Sequence, residues 1–156
     1  MSSHTIASSA ILDAPADQVF ATITDISRLP DWNTAITGVI EQPDHLKLGA
    51  QWVVGMHALG RNWHSRSAVE ELDVARRRFG YRSVTDDGNP SYAMWTWDVA
   101  DHPGGAQVTV SVELHPRTCW RRILLVRIRI RQLARTELPD SLEALRAQTC
   151  ARSDRT

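Results

Sequence analysis

The chain has 156 residues, 42% of them hydrophobic, no formal net charge and a pI near 7.0. That length is enough for one substantial core. A neutral balance argues against a nucleic-acid partner, which needs a basic excess. The longest apolar runs are only a few residues, such as Ile123-Leu124-Leu125-Val126, well below the ~20 of a membrane span.

The opening Met1-Ser2-Ser3-His4 has no basic region followed by an apolar stretch, so no secretory signal is expected and a cytoplasmic location fits. Cys119 and Cys150 stand in no Cys-x-x-Cys or Cys/His pattern and read as free thiols in a reducing compartment. Lys47 is the single lysine, and tryptophan is over-used, with 6 Trp against 2 Phe and 2 Tyr.

In chain order, Thr5 to Leu12 mixes β-branched and small residues and reads as a first strand. Asp13-Ala14-Pro15-Ala16-Asp17 places a proline and an acid at a helix start. Ala16, Val19, Phe20 and Ile23 then follow at helical spacing. A second short helical turn fits Ile26 to Trp32, broken by Pro30.

From about Ala35 onward, turn signals punctuate strand-like runs. The turns are Gln42-Pro43-Asp44, Leu59-Gly60-Arg61-Asn62, Asp86 to Pro90 and His102-Pro103-Gly104-Gly105. The runs are Gln51 to Ala58, Trp63 to Leu72, Arg77 to Val84, Tyr92 to Val99 and Gln107 to Leu114. Hairpin-length links predict an antiparallel meander. Arg117 to Cys150 has no glycine and reads as one long helix with a kink or restart near Pro139. Trp120, Leu124 and Ile128 share one face, and Ile130, Leu133, Leu138, Leu142 and Leu145 continue it. Val126 to Arg131 alternates like a strand, but its length and leucine-rich flanks favour helix. Helices bracketing a run of strands specify an α+β class. All 156 residues form one unit, its core spanning about 5–147, with 148–156 expected to fray.

Alternation assigns the faces. Burying Asp98 unpaired is costly, so Ala93, Trp95, Trp97 and Val99 face inward. The same logic turns in Val108, Val110, Val112 and Leu114, then Phe79, Tyr81 and Ser83, and Trp63, Ser65, Ser67 and Val69. Trp52, Val54 and Met56 are the apolar set of their strand. One face thus gathers Trp52, Trp63, Trp95 and Trp97 with Phe79, Tyr81 and Met56. A solid aromatic core and a lined cavity both satisfy this pattern, the polar groups of a cavity being Tyr81, Ser65, Ser67 and the indole N–H groups.

Three groups of segments are similar to the START-like (SRPBCC) superfamily, nearest its polyketide cyclase/dehydrase-like group. The first is Asp13 to Phe20 with Asp25 and Leu29-Pro30-Asp31-Trp32-Asn33. The others are Gly49-Ala50-Gln51-Trp52 with Trp95-x-Trp97, and Leu138 to Leu145. The resemblance covers roughly Thr5 to Ala147. It implies the helix-grip fold: a curved antiparallel sheet wrapped around a long C-terminal helix, two short helices after the first strand, and a ligand cavity between sheet and helix. The superfamily includes lipid carriers, hormone receptors, aromatase/cyclases and many bacterial members of no assigned role, so fold alone does not set function.

No hydrolase, metalloprotease, phosphate-loop or dinucleotide motif is present, and no cofactor is implied. His57 and His64 flank a hairpin turn without a third ligand, so no metal site is expected. Of the acid/base candidates His57, His64, Arg66, Arg82 and Tyr81, alternation leaves only Tyr81 inside. It is the weak catalytic candidate.

The expected ligand-binding set is Trp52, Met56, Trp63, Ser67, Phe79, Tyr81, Trp95, Trp97, Val110, Leu124 and Ile128. Arg117, Arg121, Arg122, Arg127, Arg129, Arg131 and Arg135 form either a solvated face or a basic patch for an anionic surface or partner. No exposed apolar stripe specifies an oligomer. Three functions stay open: carriage of a small hydrophobic or aromatic ligand, a polyketide cyclase/dehydratase, and an interaction or regulatory module. The shortage of paired acid/base groups leans away from an enzyme.

Overall fold

The computed structural model describes residues 4–58, 60–85, 91–116, 131 and 133–153. The expected turn at Asp86 to Pro90 and the 117–130 segment, with Cys119, Trp120, Leu124 and Ile128, lie outside the described residues.

Strand β1 (His4–Leu12) is followed by helix α1 (Ala16–Thr24), a tight turn over Ile26–Arg28 and helix α2 (Leu29–Trp32). Pro15 caps α1 and Asp17 occupies its first turn, as the sequence pattern requires. Pro30 does not break the second helical piece. It sits in the first turn of α2, where a missing N–H costs nothing because that donor has no intrahelical partner.

The remaining strands are β2 (Ile36–Glu41), β3 (Gln51–Ala58), β4 (Arg61–Asp73), β5 (Arg78–Thr85), β6 (Tyr92–His102) and β7 (Gly105–His115). They form one antiparallel sheet of seven strands in the order β1-β7-β6-β5-β4-β3-β2. The edge strand β2 carries no sequence alternation and pairs irregularly with β3, with register shifts near Gly38 and Val39.

The β3–β4 link closes at Ala58 opposite Arg61, with Gly60 at φ 71°, a conformation glycine adopts freely. The β4–β5 link has neither glycine nor proline. Arg77 takes the left-handed position there at φ 55°. Its guanidinium binds Asp17 of α1 at 2.7 Å and Asp101 of β6 at 3.4 Å. Those two anions hold the turn against helix and sheet, and the Asp17 bond raises the guanidinium's pKa further.

A bulge at Glu70 breaks the period of β4. Val69 pairs with Tyr81 and Leu72 with Phe79, so both face the core while Glu71 turns outward to Arg78 at 3.1 Å. Simple alternation from Val69 puts Glu71 inside, and the bulge prevents it.

After the described residue Arg131, a widened, π-type turn over Leu133–Glu137 leads into helix α3 (Leu138–Ser153). The predicted restart near Pro139 takes this form. Proline cannot donate to the carbonyl four residues back, and a wider turn absorbs the missing bond. Helix α3 continues past 148 to Ser153. Gln18 Nε2 donates to the Thr149 carbonyl at 3.2 Å, and the Thr149 side chain is fully buried. α3 packs against β1, α1 and α2, as the helix-grip fold expects.

Candidate functional site

Inward alternation on three strands, β3, β5 and β6, brings aromatic rings into one cluster. Trp52 (β3), Phe79 and Tyr81 (β5) and Trp95 and Trp97 (β6) are all buried. The Tyr81 ring is 5.0 Å from that of Trp52, 5.2 Å from Phe79 and 6.1 Å from Trp95, stacked nearly parallel on the last. Trp32 of α2 meets Trp97 edge-on at 5.2 Å. Edge and offset arrangements satisfy the ring quadrupoles better than face-to-face stacking.

Val110 on β7 and Ser67 on β4 are buried on the same face. Met56 belongs to the same buried core and Trp63 packs against it. With Thr37, Gly55, Asn62 and His64 they also line a groove of about 170 Å3 at the β3–β4 end of the sheet. Leu124 and Ile128 belong to the segment outside the described residues. The described members of the expected ligand-binding set thus lie in or against one core, and Met56 and Trp63 also reach the groove at its edge.

The polar groups inside are few. The Trp95 indole donates to Ser83 Oγ at 3.2 Å, and the Trp97 indole donates to the Tyr81 hydroxyl at 3.4 Å. Burial pushes the Tyr81 phenol well above its ordinary range; the Trp97 bond lowers it in part and the charge of Glu137 raises it again. Tyr81 is therefore a neutral hydroxyl at physiological pH.

Three residues escaped the sequence reading. Trp32 is buried and its indole N–H has no hydrogen-bond partner among the described residues. Glu137 is only 2% exposed, the one buried carboxylate among the described residues. Ser141, one turn beyond it, is equally buried, and its hydroxyl has no partner among the described residues. A signal existed: Leu133, Glu137, Ser141 and Leu145 recur at intervals of four, so the acid and the hydroxyl sit on the leucine stripe.

The other acid/base candidates point away, as alternation requires. His57, His64, Arg66 and Arg82 are exposed on the outer face. His57 Nδ1 and Asn62 Oδ1 are 2.6 Å apart, Arg66 reaches Glu41 at 3.4 Å, and Arg82 lies 3.8 Å over the Tyr92 ring. No group of three metal-ligating side chains occurs among the described residues. Of the arginine run, Arg131 and Arg135 are described and exposed. No helix among the described residues is long and apolar enough to cross a membrane.

The model of one family, described as polyketide cyclase / dehydrase and lipid transport, matches residues 3–148. The chain belongs to that family. Its membership places it in the START-like (SRPBCC) superfamily, as the opening motif and order of elements suggested.

Solved structures agree on the architecture. A Thermus thermophilus protein is 16% identical, covers 96% of this chain and 99% of its own, and superposes with a TM-score of 0.75. The Zhui aromatase/cyclase of a Streptomyces species is 17% identical over 99% and 95%, with a TM-score of 0.69. Major latex-like protein 151 of Panax ginseng is 11% identical over 94% and 97%, with a TM-score of 0.71. At these identities the likeness establishes the helix-grip fold alone. No curated protein matches the chain at a significant level.

Proposed function

We propose that this member of the polyketide cyclase/dehydrase and lipid transport family binds or carries a small hydrophobic or aromatic molecule between the sheet and the C-terminal helix. The supporting observation is the buried cluster of Trp52, Phe79, Tyr81, Trp95 and Trp97 on the inner face, set against the outward placement of His57, His64, Arg66 and Arg82. Flat rings offer a large contact area for a flat or greasy ligand at small entropic cost.

Mass spectrometry of freshly purified protein, native and then after organic extraction, tests this reading. A reproducible co-purified small molecule supports it. If none is found, titration of planar aromatics and fatty acids against tryptophan fluorescence follows, and failure of both classes to bind refutes it.

One observation favours a second reading, a cyclase/dehydratase. The buried Glu137 carboxylate contributes to raising the Tyr81 pKa, which couples a candidate base to a candidate acid. For this reading, once a substrate is found, Tyr81→Phe and Glu137→Gln must each lower turnover by about a hundredfold or more. Unchanged turnover removes it.

A further inference from the structure

Glu137 and Ser141 occupy one face of the C-terminal helix, one turn apart, both 2% exposed, within a stripe otherwise made of leucines. Apolar side chains at these two places would bury surface at no polar cost, so the acid and the hydroxyl are expensive there. Ser141 Oγ makes no hydrogen bond among the described residues, although a buried hydroxyl normally has one. Glu137 ends the widened turn that Pro139 enforces, and such turns re-aim the side chains they carry. Its charge reaches the Tyr81 hydroxyl on the opposing sheet. That hydroxyl accepts from Trp97 and so retains its own proton for another acceptor.

We propose that Glu137, Ser141 and Tyr81 form the polar end of the ligand pocket and select uncharged molecules carrying a hydroxyl, while rejecting carboxylates. The proposal rests on the binding reading above. A ligand hydroxyl has one proton to donate to the Glu137 carboxylate and two lone pairs to accept from Tyr81 and Ser141, which satisfies all three groups at once. The two carboxylate oxygens accept about four hydrogen bonds, so the interaction Glu137 already makes within the chain leaves acceptor capacity. A ligand carboxylate offers no donor and adds a second negative charge in a region of low dielectric. The chemistry recognised is that of a phenol or alcohol on an apolar body, not of a fatty-acid anion.

Isothermal titration at neutral pH with three probes of one shape, naphthol, naphthalene and naphthoate, tests it. The wild-type protein should bind naphthol about tenfold or more tightly than naphthoate. Glu137→Gln, checked for folding by circular dichroism, should bring that ratio below about threefold, since the amide carries no charge. Ser141→Ala, which removes a hydroxyl without a described partner and should fold, should weaken naphthol while leaving naphthalene unchanged. Naphthoate bound as tightly as naphthol by the wild type overturns the proposal whether or not the Glu137 variant folds. So does an unchanged ratio in folded Glu137→Gln. Binding of naphthalene and naphthol without discrimination between naphthol and naphthoate sinks the selectivity and leaves the pocket standing. Failure of all three to bind sinks the pocket and the selectivity with it.

Discussion

The hydrogen bond between the Trp97 indole and the Tyr81 hydroxyl ties two rings of the inner cluster. Tyr81→Phe removes the hydroxyl, both acceptor and O–H donor, and keeps the ring. The ring contacts with Trp52 at 5.0 Å, Phe79 at 5.2 Å and Trp95 at 6.1 Å are all retained by phenylalanine. Trp97 is 1% exposed, so bulk water cannot replace the lost acceptor. An unsatisfied buried donor costs about 1–3 kcal/mol. The N···O distance of 3.4 Å is long for such a bond, which places the loss at the low end, and freeing a phenol from burial returns part of it.

The net expectation is a destabilisation of about 1 kcal/mol, or a fall of about 2–4 °C in Tm for a chain of this size. Trp97→Phe costs more, about 2 kcal/mol or above, because it also gives up ring volume and the edge contact with Trp32. The assay is a double-mutant cycle measured by urea unfolding, followed by far-ultraviolet circular dichroism because the substitutions alter tryptophan emission. A coupling energy of about 0.5–1.5 kcal/mol is expected. Zero coupling with Tyr81→Phe as stable as wild type would refute the bond.

Three further outcomes are expected. The folded chain holds the Tyr81 proton above the pH near 10.0 at which the unfolded chain releases it, so the unfolded state binds fewer protons there. The contribution of Tyr81 to stability is then level below about pH 10 and falls above it, by up to about 1.4 kcal/mol per pH unit. The difference between wild type and Tyr81→Phe across an alkaline series of chemical melts should show that slope. Gly105→Ala places a Cβ against the Leu12 carbonyl and 2.9 Å from the Ala14 nitrogen at φ 129°, backbone atoms that cannot step aside. It should cost at least about 2 kcal/mol in the same melts, and a neutral result would mean that the end of β1 can shift. Arg77→Ala keeps the left-handed strain and loses both ion pairs, whereas Arg77→Gly loses the pairs and relieves the strain. The glycine variant should melt higher than the alanine variant, and the reverse order would show that the turn relaxes without the arginine.

Much of the fold is local enough to be read along the chain. Alternation decided the faces of β5, β6 and β7, because one misplaced residue such as Asp98 would have been costly to bury. It also assigned His57, His64, Arg66 and Arg82 to the outside before any contact was known. Where a signal depends on a partner, it is silent. The β4–β5 turn has no glycine or proline, and its left-handed residue is an arginine held by acids 60 residues before and 24 residues after it. The bulge at Glu70 and the irregular edge strand β2 are likewise settled by register against their neighbours.

The candidate site divides the same way. The period of two placed Tyr81, Trp95 and Trp97 on one face, a consequence of backbone geometry that needs no partner. The four-residue spacing put Glu137 and Ser141 on the leucine stripe, but residue type argued against burial, since acids and hydroxyls on a helix ordinarily face water. Their inward aim follows from the wide turn before Pro139 and from where α3 lies on β1, α1 and α2. Which side of the sheet is apolar can be read from residue order, because alternation is a property of each strand's own backbone. Which polar groups that side encloses cannot, because burying an acid depends on what the rest of the chain packs around it.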